Sequence, residues 1–590
     1  MLLSTTTTTT SSTTDQTNES DSSNGNGIDH HHHYHLFSNI KLTNNGGHQY
    51  FSLKNFLSNF NETYKIDDNI FSLDNLNCHL KNFDNSSDDQ PSNATHDDDD
   101  ENDFWQPVCS SNNKFYVFSA YIDQYNRSNL NLNFFNTDYQ HQHHNDNQDY
   151  FVRIIAVTTL TSKDKIICSY SLDEEKEDDN GRKQIIQKNW FRQGKMKPIR
   201  EHWNLQYSAF FIYCPLPKMI MINTLNNNDG HSSTMLMKSN YYLSIIALSK
   251  HWYISNNNDD DDDDLELNRL LKQYAQTMKM IVPSNRMPIH GLQQQQQQQN
   301  NDKLAVCIKP LHYYYNKTIN LIEFIELNRI LGVRRFYFFN HTVSTEVDQI
   351  LRLYQQYEPE LLKILQWKLP IRSQLEIRTE GIFAALNDCL YRARYNRFRY
   401  VMFIDLDEFI IPNNHKNLID LIENVEHFYP NKIGALSFRN GFFYLQYPND
   451  QQIEKLIDHN NDFDDKTNLH QQLITLTKTW RKSELNIHKQ RSKCIVLVDN
   501  IIEMGNHFVW EFLYGKHIFN IDPKLAYLHH YRVCEFGGNN CIENNDHIID
   551  RRIYYWSKSL LNNIHYRLQL FCDSIRIQQK SIMNDICNFI

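Results

Sequence analysis

Tyr400-Val-Met-Phe-Ile-Asp-Leu-Asp-Glu-Phe-Ile-Ile-Pro412 is the stretch that decides the fold. A short apolar run bounded by polar residues reads as a strand buried on both faces. On an extended chain, residues two apart share a face, so Asp405 and Asp407 point one way and Glu408 the other. Two carboxylates held together beside a buried strand repel each other unless a cation sits between them. All-oxygen ligation suits a hard divalent ion, Mn²⁺ or Mg²⁺, whose shell water and phosphate oxygens complete. The plainer alternative for a lone Asp-x-Asp is a pair of solvated loop carboxylates.

Working upstream, strands and helices alternate. Leu304-Ala-Val-Cys-Ile is a strand, and Asn320 caps a helix that Gly332 ends. Phe336-Tyr-Phe-Phe is the next strand, followed by a helix over about 346–357. Leu361 to Trp367 is the third strand, a long helix covers about 375–395, and the opening stretch is the fourth strand. Four such alternations with short connections demand an α/β fold, a mostly parallel sheet with helices on both faces. Ligands of such sheets sit beyond the carboxyl ends of the strands, where Lys309, Asn340 and Asp405 fall. No G-x-G-x-x-G follows the first strand and no P-loop is present, which disfavours ordinary dinucleotide and NTPase sites.

The remainder divides by composition. Residues 1–103 are rich in Thr, Ser, Asn and Asp and read as a disordered low-complexity region. Residues 104–255 carry β-branched and aromatic runs such as Ser208-Ala-Phe-Phe-Ile-Tyr-Cys, and read as a β-rich accessory domain, a sandwich or curled sheet. Residues 256–302, with runs of Asp and Gln, read as a polar linker; 303–560 is the α/β domain and 561–590 a helical tail. The chain has 590 residues, 40% hydrophobic and 13% aromatic, enough for a large core. Its formal net charge of -11 is concentrated in acidic runs and gives no nucleic-acid footprint. The 11 cysteines form no Cys-x-x-Cys pair, so structural zinc is not expected. Cys168 with Cys214, and Cys534 with Cys541, are candidate disulfides, with free buried thiols as the alternative. No signal peptide or apolar run of membrane-spanning length is visible.

Several blocks in order resemble glycosyltransferase family 92: Leu321 to Val333, Ala385-Leu-Asn-Asp-Cys-Leu-Tyr-Arg392, Phe403 to Pro412, Met504-Gly-Asn-His-Phe-Val509 and Leu528-His-His-Tyr-Arg532. Trp105-Gln-Pro-Val and Tyr213-Cys-Pro-Leu-Pro extend the resemblance to about residues 104 to 560. The resemblance implies a GT-A-like fold, a UDP-sugar donor, a divalent metal (commonly Mn²⁺) and a glycan acceptor of the secretory pathway. Members include inverting galactosyltransferases that use UDP-galactose. It also implies a Golgi membrane protein, although this chain shows no anchor. Asn340-His341 stands where relatives often have Asp-Asn, which departs from the family pattern at a nucleotide contact.

On this reading Asp405 and Asp407 hold the metal that neutralises the leaving diphosphate, and His530 is a further ligand by analogy, with His529 and His507 as alternatives. Lys309, Asn340, Asn387, Asp388, Arg392 and Asp405 are candidate nucleotide-sugar contacts, the cations acting by charge-assisted hydrogen bonds. Inversion needs a base near the acceptor hydroxyl, and Glu484, Asp499 and Glu503 are candidates. Each of these side chains has a structural alternative, as a surface charge or a buried hydrogen-bonding group. Two rival readings are a haloacid-dehalogenase-like phosphatase with Asp405 as nucleophile and Asp407 as general acid, and a catalytically inactive carbohydrate-binding module.

Overall fold

The computed structural model describes chiefly residues 104–126, 148–217, 240–248, 285–290, 303–458, 468–534 and 546–577, with short strands within 40–51, 64–66 and 253–255. Most of the region expected to be low-complexity lies outside the described residues; of residues 1–59, a hairpin pairs Ile40–Asn44 with Gly47–Phe51.

The α/β domain is built on a seven-stranded sheet. Its strands in chain order are β1 (Leu304–Cys307), β2 (Arg335–Asn340), β3 (Leu362–Gln366), β4 (Tyr400–Phe403), β5 (Ile433–Phe438), β6 (Lys493–Leu497) and β7 (His517–Asn520). Their order across the sheet is β3-β2-β1-β4-β6-β5-β7. The β3, β2, β1 and β4 strands run parallel, β6 is antiparallel to both its neighbours, and β5 is parallel to β7. The sheet is therefore mixed, with its parallel half at the N-terminal side of the domain.

Strand alternation separates two cores. Leu304, Val306, Tyr400 and Met402 face the layer that holds α1 (Thr318–Ile330) and α2 (Thr345–Tyr357). Ala305, Cys307, Val401 and Phe403 face α3 (Ile382–Tyr395). Helices thus cover both faces of the parallel half.

Local chemistry sets the ends. Ser344 caps α2 by accepting from the Val347 N–H at 3.3 Å. Gly332, at φ 107°, closes the turn after α1 in the left-handed region that favours glycine. The start of α1 differs from the sequence reading: its cap is Lys317, not Asn320, and its buried residues include Glu323, Glu326 and Asn328. A long C-terminal helix, α4 (Ser557–Ile577), accounts for Glu326, while Ile474 and Thr475 bond Glu323. Arg567 of α4 bonds Glu326 at 3.2 Å, so the expected tail contributes to the core. The long helix expected from 375 begins only at Ile382, because Thr379, Glu380 and Gly381 all have positive φ and form a turn instead.

The β-rich domain is one eight-stranded sheet that closes on itself. Met287–His290 pairs with both Asn240–Leu248 and Tyr116–Asn126. That strand lies within the span expected to be a linker, which is therefore not polar linker throughout. The inside of the closed sheet holds Val117, Ile154, Ile166 and Ile212, and the Cys168–Cys214 disulfide crosses it. Its outer face presents Phe118, Tyr121, Ile155 and Phe211 to α3. A second disulfide, Cys307–Cys389, ties β1 to α3, and a third joins Cys572 to Cys587. Cys534 is disulfide-bonded as well, while Cys541 lies outside the described residues.

Candidate active site

The chain leaves β4 at Phe403 and does not continue as one strand. Asp405 to Asp407 form a turn, and Glu408–Pro412 starts a strand of a separate three-stranded sheet, paired antiparallel with Ala526–Arg532. The turn folds back on itself. The Asp405 N–H donates to Glu408 Oε2 at 2.9 Å, and the Glu408 N–H to the Asp405 carbonyl at 3.1 Å. Glu408 is therefore part of the acidic turn rather than directed away from it.

Two lysines and a histidine flank these carboxylates. Lys309, just past β1, lies 3.2 Å from Asp405 Oδ2. Lys493, the first residue of β6 and only 2% exposed, lies 3.4 Å from the same oxygen and 3.3 Å from Glu408. The register between the paired strands sets His530 opposite Glu408, with Nδ1 3.3 Å from Glu408 Oε1 and Nε2 3.5 Å from Asp407 Oδ2. Burial alone would raise the pKa of Asp405, but Lys309 and Lys493 hold it well below the usual carboxylate range. Asp407 is likewise held low against burial, chiefly by the hydrogen bond from His530. Burial raises Glu408 despite Lys493. Asp405 raises the pKa of Lys309, so that ammonium stays charged.

Around this turn opens a cavity of about 840 Å³, at the carboxyl ends of the parallel strands. Lys309, Asp405, Asp407, His507 and His530 line it, with Lys317, Arg378, Arg491 and Arg532 adding positive charge. His507 is kept neutral, since burial and then Lys493 push it down to about 4. Two further lining residues, Glu201 and Trp203, come from the β-rich domain.

A divalent ion would find two protein donors here, the Asp407 carboxylate, 45% exposed toward the cavity, and the imidazole of His530. Among the described residues no three His, Cys, Asp or Glu side chains form a ligand set by themselves. One carboxylate and one imidazole leave the remaining positions of a divalent ion to water and phosphate oxygens. Asp405 is committed to the two lysines instead.

Other expected site residues are placed elsewhere. Asn387, Asp388 and Arg392 are buried in α3, where Asn387 ties the helix to Met504 of the same domain and Asp388 and Arg392 meet Tyr121 of the β-rich domain. The Asn387 amide bonds the Phe383 and Met504 carbonyls, and Asp388 accepts from Tyr121 at 2.7 Å and Arg392 at 3.0 Å. Asn340 ends β2, where its carbonyl accepts from the Trp367 N–H, and it does not line the cavity. His529 alternates away from His530 into a packed site between Phe443 and Tyr527, and burial pushes it down to about 3. None of the candidate bases lines the cavity. Glu484 and Asp499 are each 83% exposed beside Lys482 and Arg394, and Glu503 is buried against the β-rich domain, accepting from the Arg200 N–H at 2.8 Å. Lys493 is the main residue that sequence reasoning missed. A lysine opening the apolar run Lys-Cys-Ile-Val-Leu was the available signal, because a buried ammonium demands anions.

Residues 302–564 match the sequence model of the family described as glycosyltransferase family 92. Over 112 residues the chain is 30% identical to the beta-1,4-galactosyltransferase galt-1 of Caenorhabditis elegans, an overlap of 19% of this chain and 25% of that protein. The chain therefore matches only a quarter of the length of that curated relative. Among solved structures, glucosyl-3-phosphoglycerate synthase from Mycobacterium tuberculosis, in complex with Mn²⁺, UDP and glucosyl-3-phosphoglycerate, is 12% identical with a TM-score of 0.18, covering 34% of this chain and 58% of that one. The bifunctional glycosyltransferase WbbM is 11% identical with a TM-score of 0.17, covering 49% and 48%. Scores this low leave the fold to stand on its own strand order.

Proposed function

We propose that the chain is a glycosyltransferase of the kind its match over residues 302–564 points to, and that it moves a hexose, galactose from UDP-galactose, onto a glycan acceptor with inversion, using a GT-A-like site. The observation that carries this reading is the meeting of Lys309, Asp405, Asp407 and His530 in one cavity at the ends of the parallel strands. A sugar nucleotide leaves as a diphosphate, so negative charge grows on its phosphate oxygens. Lys309 offers a fixed ammonium to that charge, and Asp405 orients the lysine. Asp407 and His530 would hold Mn²⁺, which supplies Lewis-acid stabilisation of the diphosphate when bound. Glu408 and Lys493 keep the turn in shape beneath them. The disulfides Cys168–Cys214 and Cys307–Cys389 suit an oxidising compartment and support a secretory, Golgi location.

The test is release of UDP from a panel of UDP-sugars by the full chain with Mn²⁺, with the anomer of the product read by NMR. Turnover of UDP-galactose to a β-linked product, abolished by EDTA, is expected. Turnover of UDP-glucose alone, or an α-linked product, overturns the donor or the stereochemistry. A second reading has its own observation, the two lysines on Asp405: the site would then neutralise the diphosphate with its own cations. Full activity in EDTA would select it.

A further inference from the structure

The cavity has a wall that the family 92 segment does not supply. It comes from the turn between Lys183–Pro198 and Tyr207–Pro215 of the β-rich domain. Both shoulders of that turn are fastened to the α/β domain. The Arg200 N–H donates to Glu503, Glu201 Oε2 accepts from the Asn506 N–H at 3.0 Å and the Trp510 indole at 3.1 Å, and the Tyr207 N–H donates to the Glu376 carbonyl at 2.9 Å. Between these fastenings Trp203 and Asn204 both lie in the left-handed region, at φ 57° and 54°. Two successive non-glycine residues keep such a conformation only when their surroundings impose it, and such sites gather where ligands are held.

What the strained turn presents is an indole that is 60% exposed at the rim of the cavity. The Arg378 guanidinium sits 4.5 Å from the ring, itself beside a second strained turn, with Thr379 at φ 44° and Glu380 at φ 51°. Two domains thus converge so that a guanidinium lies over one face of the indole while the rest of the ring stays exposed. That pairing fits a pyranose, whose C–H face packs on an indole while its hydroxyls accept from a guanidinium. Lys309, Asp407 and His530 carry the charges a diphosphate needs, whereas Trp203 lines the same cavity from outside residues 302–564. We propose that Trp203 and Arg378 form an acceptor subsite that binds a sugar ring of the glycan. This rests on the transferase reading above for the word acceptor, but the ring-binding site itself is testable separately.

The experiment is saturation-transfer NMR on the full chain with Mn²⁺, UDP and, in turn, the methyl pyranosides of galactose, glucose, mannose, fucose and N-acetylglucosamine. Wild type should saturate the ring protons of at least one pyranoside. Trp203→Ala should weaken that binding roughly two- to tenfold, and Trp203→Phe should keep most of it, with uracil signals unchanged throughout. Because Trp203 is exposed, thermal melting should not move, which separates lost binding from lost folding. Pyranoside signals that persist in Trp203→Ala, or that are missing in wild type, overturn the subsite. Uracil signals that vanish with the indole also overturn it, and make the ring a nucleobase platform. If wild type binds a pyranoside through Trp203 but shows no uracil signal, the subsite stands and the UDP-donor reading fails.

Discussion

Lys493 supports the acidic turn from beneath. It is a buried ammonium shared by Asp405 and Glu408, with Asn506 Oδ1 also 3.3 Å away. Removing one partner of a buried ionic group leaves the others uncompensated. Lys493→Met should therefore cost about 3–5 kcal/mol in urea unfolding; a loss below about 1 kcal/mol would show that water already screens the turn. Glu323 gives a pH signature. Burial lifts its carboxyl from 4.5 to about 7, even though Thr475 and the Ile474 N–H bond it. An acid whose native pKa is raised stabilises fully below its unfolded value and loses that contribution as pH rises through the folded one. Wild type should thus lose about 3 kcal/mol from this group between pH 4.5 and 7.5. Glu323→Gln should flatten that part of the stability profile, and parallel profiles for the two proteins would rule the explanation out.

At the scale of elements, the contact between the 199–207 turn and the hairpin 501–512 depends on Gly505. A Cβ there would lie 2.6 Å from Glu201 Oε2 and from the Trp510 ring. Gly505→Ala should cost about 1–3 kcal/mol through overpacking and loosen the turn that carries Trp203. Faster hydrogen exchange at Arg200 and Asn506 would register it, and unchanged protection there would contradict the close approach. The strand and helix alternation of 304–412 was legible in the sequence because buried strands and capped helices leave strong local patterns. Asp405 was legible for the same reason, as a charge ending an apolar run. The break at Phe403 was not, because Ile404 and Leu406 look equally apolar whether the chain runs straight or turns. Nor could composition tell that Asp388 and Arg392 face another domain while Asn387 bonds Met504, since that follows from what packs on α3. The candidate bases failed for a related reason: exposure and facing are set by long-range contacts.

As a whole molecule, the closed β-rich sheet works as part of the α/β domain. It covers α3 with Phe118, Tyr121 and Phe211, and it feeds Ser119 and Tyr121 hydroxyls to the buried Asp388. A chain cut to begin at residue 303 should expose that apolar face, with Phe383 and Tyr391, and aggregate or melt without cooperativity. A monomeric, cooperatively melting product on size exclusion and near-UV circular dichroism would contradict this. The β character of this domain was legible from its aromatic and β-branched runs. Its closure was not, because Met287–His290 is four residues long and set among polar runs, too short for a periodic signal. One assay reads whether sugar transfer takes place at the acidic turn. UDP release from UDP-galactose is measured for wild type and Asp407→Ala, both loaded with Mn²⁺ and both verified as folded. Asp407→Ala should release UDP about 10²–10³-fold more slowly. Equal rates in the two proteins, or no release of UDP by folded wild type from any UDP-sugar, would contradict it.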